Sequence, residues 1–204
     1  NPPSSPLNSP LGFRNALARP GLSVIAEIKR RSPSKGPLAP DLDTERTARA
    51  YAAGGAAAIS CLTDERFFGA RPDDFRRARA AALPVLRKDF LIDEIQIDES
   101  AAMGASAILL IVRILSAARL EALRRHAAHL SLDALIEVHD EAEIDQALDA
   151  GASILGVNNR DLGTLIVDPG RAARLRPLIP KGVLAVAESG VKTPDDVKRI
   201  ADAG

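Results

Sequence analysis

Seven short apolar runs, each followed by a longer amphipathic stretch, constrain what this chain can fold into more than any other feature of it. They are Ser23 to Ile28, Ala57 to Leu62, Pro84 to Lys88, Ala107 to Val112, Ala134 to Val138, Ile154 to Asn158 and Val183 to Ala187. Each run is almost continuously hydrophobic, as strands buried on both faces must be. Their alternation with helix-length segments predicts βα units around a parallel sheet. The punctuation agrees: Ala53-Gly54-Gly55, Met103-Gly104-Ala105 and Ala150-Gly151-Ala152 each stand before a strand, where glycine can take the left-handed conformation that ends a helix. Asp202-Ala203-Gly204 has the same form, so an eighth strand is expected from Gly204 onward. The pattern therefore predicts an α/β fold, a (β/α)8 TIM barrel with seven βα units visible and the eighth strand absent from the chain. An open doubly wound sheet is the alternative. It needs no eighth strand, but no Gly-rich dinucleotide fingerprint follows the first run.

Residues 1–12, beginning NPPSSPLNSP, read as an irregular lead-in and residues 13–204 as the barrel domain, with a short helix expected over Leu11 to Ala18. For 204 residues, 46% hydrophobic content fills one sizeable core, but 3% aromatics leave the packing to Ala, Leu, Ile and Val. The 27 Lys and Arg balance the 27 Asp and Glu, so no general field draws nucleic acid or an anionic membrane, and any anion site must be local. The one cysteine, Cys61, cannot form an internal disulfide. The apolar runs are too short to span a bilayer, and no export signal opens the chain, so a cytoplasmic location is expected.

In a β/α barrel, catalytic groups sit at the C-terminal ends of the strands. The seven runs end in turn at Glu27 and Lys29, Thr63-Asp64, Lys88-Asp89, Arg113, Glu137 and His139, Asn158 and Arg160, and Glu188-Ser189. Glu27 and Lys29 are two apart on a strand, share a face, and with Ile25 are expected to point into the barrel. A structural ion pair is one reading of them. Lys88 and Glu137, arriving from other strands, supply the other: lysines and carboxylates converging in a low-dielectric mouth provide a general acid and a general base. The following loop, RRSPSKG, is either a solvated flexible segment or a mobile lid whose Ser32, Ser34 and Gly36 offer donors to an anion. In GVNNRDL, Asn158 and Arg160 are either turn formers or site residues, with Asp161 a candidate turn anchor. In AESGV, Glu188 can face the mouth, while Ser189 and Gly190 allow close approach to a phosphate.

VIAEIKRRSPSKG, CLTDERFF, PVLRKDFLIDEIQI, ILLIVRIL, LIEVHDEAE, GVNNRDL and VAESGV together resemble, in order and nearly in spacing, the segments of the indole-3-glycerol phosphate synthases of tryptophan biosynthesis, from about Phe13 to the end. The resemblance implies conversion of 1-(o-carboxyphenylamino)-1-deoxyribulose 5-phosphate, a phosphosugar-anthranilate substrate, to indole-3-glycerol phosphate with loss of carbon dioxide and water. It implies no metal or organic cofactor. By the same resemblance Lys88 is the general acid, Glu137 the base of the dehydration, Lys29 the cation holding the substrate carboxylate, and Glu27 a tuning charge beside it. Asn158, Arg160 and Glu188 are implied as polar contacts, and Ser32, Ser189 and Gly190 as substrate-binding positions. Phe68, Phe90, Leu109 and Ile111 are implied as apolar walls, although Leu109 and Ile111 read equally well as barrel core. The chain departs from the family pattern at Gly69-Ala70-Arg71, and it lacks the family's eighth strand with its phosphate loop. Two other readings stand beside this one. The first is a catalytically incomplete barrel fragment serving as a structural or assembly module. The second is a phosphoribosylanthranilate isomerase, which Cys61 fits poorly because it lies on the second strand rather than the first.

Overall fold

A computed structural model describes residues 12–204; the lead-in NPPSSPLNSP and Leu11 lie outside the described residues. Seven strands form one parallel sheet: β1 Ile25–Ile28, β2 Ala58–Leu62, β3 Val85–Lys88, β4 Ala107–Ile111, β5 Asp133–Val138, β6 Ile154–Asn158 and β7 Leu184–Glu188. Their order in the sheet is their order in the chain, each strand pairing only with its sequence neighbours. A doubly wound sheet reverses direction at a switch point, so the sequential order excludes that alternative. All seven expected strands are present, with ends shifted by one or two residues. Val112 has left the fourth strand for a 3-10 turn over Val112–Ile114.

The helices are α1 Phe13–Leu17, α2 Thr44–Ala53, α3 Glu65–Phe68, α4 Asp74–Ala78, α5 Glu94–Ala102, α6 Ala117–His129, α7 Glu141–Asp149, α8 Arg171–Leu175 and α9 Pro194–Ala203. Short polar side chains start many of them by accepting a backbone N–H: Asp43, Asp64, Asp93, Ser116, Asp140 and Thr193. Glycine stops them as expected, since Gly55, Gly104 and Gly151 all have positive φ.

Two apolar layers follow from strand alternation. The outward residues Ile59, Cys61, Val85, Ile108, Leu110 and Ile136 pack beneath the helices. The inward layer joins Ala58, Leu86, Ala107, Leu109, Ile111, Leu135 and Ile154, with Ile25, Leu184 and Val186 at its edge. Phe13 of α1 plugs this inner layer and is fully buried. The Arg14 backbone N–H anchors the plug by donating to Asp133 Oδ2 at the start of β5, at 2.8 Å.

RRSPSKG has regular structure of its own. Arg31–Ser32 and Gly36–Pro37 pair as a small antiparallel hairpin, and Arg30 O closes its base by accepting from the N–H groups of Leu38 and Ala39. The Arg30 side chain turns outward and is buried. Its guanidinium pairs with Asp74 (Nη2 to Oδ1, 2.9 Å) and donates to Thr44 Oγ1 and Leu42 O. Asp74 also accepts from Thr44 at 2.6 Å and from the Arg71 N–H at 2.7 Å. Burial opposes its charge, but these donors outweigh it and hold the carboxyl below the ordinary range.

Removing one partner of such a buried pair strands the other charge, typically at about 3–5 kcal/mol. Arg30→Met should therefore lower unfolding stability by about 3 kcal/mol at pH 7 in denaturant titrations. The folded pKa of Asp74 is depressed, so its contribution is complete above the unfolded carboxyl range, near about pH 4, and disappears as the pH falls further. The destabilisation of Arg30→Met should shrink over that acid range.

Candidate active site

At the C-terminal end of the sheet the inward positions change from apolar to charged. Lys88 ends β3, and its Nζ lies 2.5 Å from Glu188 Oε2 on β7 and 3.5 Å from Glu137 Oε2 on β5. In a flat sheet β3 and β7 would stand roughly 19 Å apart, four strand spacings, so this contact is possible only because the sheet curls. Burial by itself would strip the proton from Lys88. The charges of Glu188, Glu137 and Glu27 overcome that and hold it well above the ordinary lysine range. Lys88 is therefore a charged donor near neutral pH.

Glu188 shows the opposite effect. Burial pushes its carboxyl up to about 7, against the pull of Lys88 and with the added repulsion of Glu137 and Glu27. Its Oε2 meets Lys88, while Oε1 is buried without a hydrogen-bond partner. That oxygen lies over the backbone of Gly156 on β6, so close that a Cβ at Gly156 would overlap it. Gly156 is the site residue that reading from the sequence missed. Its signal was a glycine inside a buried strand, which marks close approach.

Glu137 is 2% exposed, and its two oxygens face different ways. Oε1 accepts from Asn158 Nδ2 at 3.0 Å and faces His139 Nε2 at 3.5 Å, which leaves Oε2 turned to Lys88. Asn158 is fixed in turn, its Oδ1 accepting the Arg160 N–H at 2.9 Å. Arg160 does not join the cluster; its guanidinium donates to Leu165 O at 2.8 Å across the turn. Asp161 anchors that turn, accepting from Gly163, Thr164 and Arg113, and these donors hold it below the ordinary carboxyl range.

Glu27 and Lys29 pair with each other, each about one-third exposed. Tyr51 donates to Glu27 O at 3.2 Å, and burial together with the Glu27 charge raises its phenol. Leu109 and Ile111 lie in the inner apolar layer, with Ile111 beside Glu137 in register. Phe68 and Phe90 stand at the rim with ring centroids 6.3 Å apart, and Phe67, which reading from the sequence passed over, meets Phe90 edge-on at 6.5 Å. Ser32 sits in the hairpin after β1.

Ser189 and Gly190 both have positive φ. A non-glycine residue holds that conformation only when its surroundings impose it. Here Asn159 does so: its Nδ2 donates to Ser189 O at 3.0 Å, its N–H donates to Glu188 O at 2.9 Å, and its Oδ1 accepts the Ala172 N–H. Asn159, the second Asn of GVNNRDL, thus ties the turn after β6 to the turn after β7. Thr63 and Asp64, by contrast, serve structure. Thr63 bonds Asp89 and Arg87, and Asp64 caps α3. Among the described residues no cluster of three or more His, Cys, Asp or Glu is placed to hold a metal ion, and no helix is long and apolar enough to cross a membrane.

A curled parallel β/α sheet with a largely buried lysine paired to two carboxylates, and a third in its field, at its C-terminal mouth defines a β/α-barrel enzyme equipped for acid–base chemistry. Solved structures share the fold: N-acetylmannosamine-6-phosphate 2-epimerase of Clostridium perfringens (TM-score 0.67, 15% identity, 98% of this chain and 90% of that one) and thiamine phosphate pyrophosphorylase of Pyrococcus furiosus (0.64, 17%, 95% and 84%). The sequence pattern of indole-3-glycerol phosphate synthase matches residues 6–204. Indole-3-glycerol phosphate synthase 2 of Streptomyces coelicolor is 52% identical over 193 residues, covering 94% of this chain and 75% of that protein. The indole-3-glycerol phosphate synthase of Chlorobium phaeovibrioides is 50% identical over 204 residues, covering 98% and 79%. The chain belongs to the indole-3-glycerol phosphate synthase family.

Two outcomes follow from this geometry. Gly156→Ala should displace the flexible Glu188 carboxylate at little cost in stability, within about 1 kcal/mol. Turnover should nevertheless fall on the order of 100-fold through misplacement alone, a split that melting and kinetics would show together. The folded pKa of Glu188 is raised, so its carboxyl favours folding at low pH and costs stability as pH rises from the ordinary carboxyl range through about 7. Glu188→Gln should flatten that part of the stability profile.

Proposed function

We propose that this chain closes the indole ring, converting 1-(o-carboxyphenylamino)-1-deoxyribulose 5-phosphate to indole-3-glycerol phosphate, carbon dioxide and water, as a carbon–carbon carboxy-lyase. Family membership supports the reaction. The observation that carries the assignment of roles is the placement of Lys88 Nζ between Glu188 and Glu137.

The ring carbon bearing the carboxylate attacks the ribulose carbonyl, and negative charge develops on the carbonyl oxygen. Lys88 gives that oxygen a proton as the oxygen takes the place of Glu188 beside its ammonium. The carbon–carboxylate bond then breaks, its electron pair restores aromaticity, and carbon dioxide leaves. In the last stage the new hydroxyl departs as water with a second proton, supplied by Lys29 once the carboxylate it held has left as carbon dioxide, while Glu137 removes the proton whose electrons form the indole double bond. Lys29, one-third exposed and held by Glu27, is assigned the substrate carboxylate. Asn158, Arg160 and Glu188 are assigned as polar contacts of the substrate, with Phe68, Phe90, Leu109 and Ile111 as the apolar wall for its aromatic ring. Ser32, Ser189 and Gly190 are assigned to the phosphate end, where the paired left-handed residues bring backbone close to a ligand.

We read residues 13–204 as the unit that carries this activity, with a cytoplasmic location and a small-molecule substrate rather than nucleic acid as its partner. The assembly-module alternative gives no account of a largely buried lysine held between two carboxylates. Such a cluster costs solvation energy and is retained where chemistry uses it.

Indole formation, followed by its fluorescence, tests the proposal. Lys88→Ala should lower kcat on the order of 100-fold or more, the usual loss when a donor to a developing oxyanion is removed. A rate within about twofold of the unaltered protein would sink the general-acid role.

A further inference from the structure

His139 stands one residue beyond β5, buried, with its ring between two carboxylates. Its Nδ1 is 3.0 Å from Glu143 Oε2, and the same oxygen accepts the His139 backbone N–H at 2.8 Å. The other Glu143 oxygen accepts from Arg113 Nε at 2.9 Å. Burial would raise the Glu143 carboxyl, but these donors prevail and keep it below the ordinary range. An ionised carboxylate is only an acceptor, so Nδ1 carries a proton. On a neutral ring Nε2 would then present a lone pair, and it has no hydrogen-bond partner of its own. What it faces, at 3.5 Å, is Glu137 Oε1. That contact is longer than a hydrogen bond, so what a proton on Nε2 brings to Oε1 is its charge.

We propose that His139 is a positioning residue for Glu137: fixed by Glu143, its ring carries a proton on Nε2 that sets a positive charge beside Oε1, and so keeps Oε2 turned to Lys88 and the mouth. The proposal rests on the reading of Glu137 as the base. With Nε2 protonated, the ring is cationic and favours the ionised form of Glu137, the form that accepts a proton. The other charges around the pair are Lys88 on β3, Glu188 on β7, Glu27 on β1, Arg113 after β4, Asp140 and Glu143 at the start of α7, and Arg171 on α8. Among them His139 is placed to answer Oε1, and Lys88 to answer Oε2.

His139→Gln keeps a polar side chain near Glu137 but cannot take up a proton. Its kcat should fall on the order of tenfold with KM within about twofold. The acid limb of its kcat profile should move to higher pH, on the order of one unit, because a positive charge beside the carboxylate has been removed. An unmoved acid limb overturns the proposal, whatever happens to kcat, since a merely structural loss lowers the rate at every pH alike. Should the variant fail to fold, 15N spectra of histidine-labelled unaltered protein decide: the His139 ring nitrogens should shift when Glu137→Gln is introduced, and an unresponsive ring overturns the proposal. Activity of Glu137→Gln separates the two readings. A normal rate there defeats the role of Glu137 itself, whereas a large loss beside an unmoved limb in His139→Gln defeats only the role of His139.

Discussion

The structure depends on one electrostatic constraint: a lysine ammonium kept inside a barrel mouth by carboxylates from other strands. A buried cation is tolerated only where opposite charge answers it. For Lys88 that answer comes from β7 and β5, with the field of Glu27 from β1. Those strands can meet at one point only if the sheet curls. The alternation that turns Lys88 inward also turns Arg87 outward, where it donates to the Gln96 carbonyl and Ser100 of α5. Adjacent basic residues therefore have separate duties, one holding a helix to the sheet and the other facing the site.

The supporting groups each fix one degree of freedom. Gly156 leaves room for Glu188, Asn158 holds the back oxygen of Glu137, and Asn159 ties the turn after β6 to the left-handed turn after β7. The inner apolar layer below, with Leu109, Leu135 and Ile154 over the Phe13 plug, keeps water from the underside of the cluster and strengthens its charges. Preorganisation of this kind places donors before substrate arrives, which is where most catalytic stabilisation originates.

Much of this was legible in the sequence for a simple reason. A polar residue ending an apolar run has few physical explanations, so Glu27, Lys88, Glu137, Asn158 and Glu188 stood out, and the glycine punctuation gave the repeat. Pairing across the barrel was less legible, because contacts between residues 100 apart, such as Lys88 with Glu188, depend on sheet curvature and register. The part played by Gly156 is invisible until Glu188 is seen lying over it. RRSPSKG read as a loop because its serines, proline and glycine are turn formers, yet the Arg30 carbonyl closes it into a hairpin. The donation of the Arg160 guanidinium to the Leu165 carbonyl of its own turn was likewise not legible, since it depends on how that turn closes.

The central claim is that Lys88 is held as a permanent ammonium by the carboxylates around it. The 15N side-chain resonances of lysine-labelled protein, followed from pH 7 upward with Lys88 assigned through Lys88→Arg, report its charge directly. Lys88 should remain protonated well above the ordinary lysine value of about 10.4. A Lys88 that loses its proton at or below that value would contradict the account.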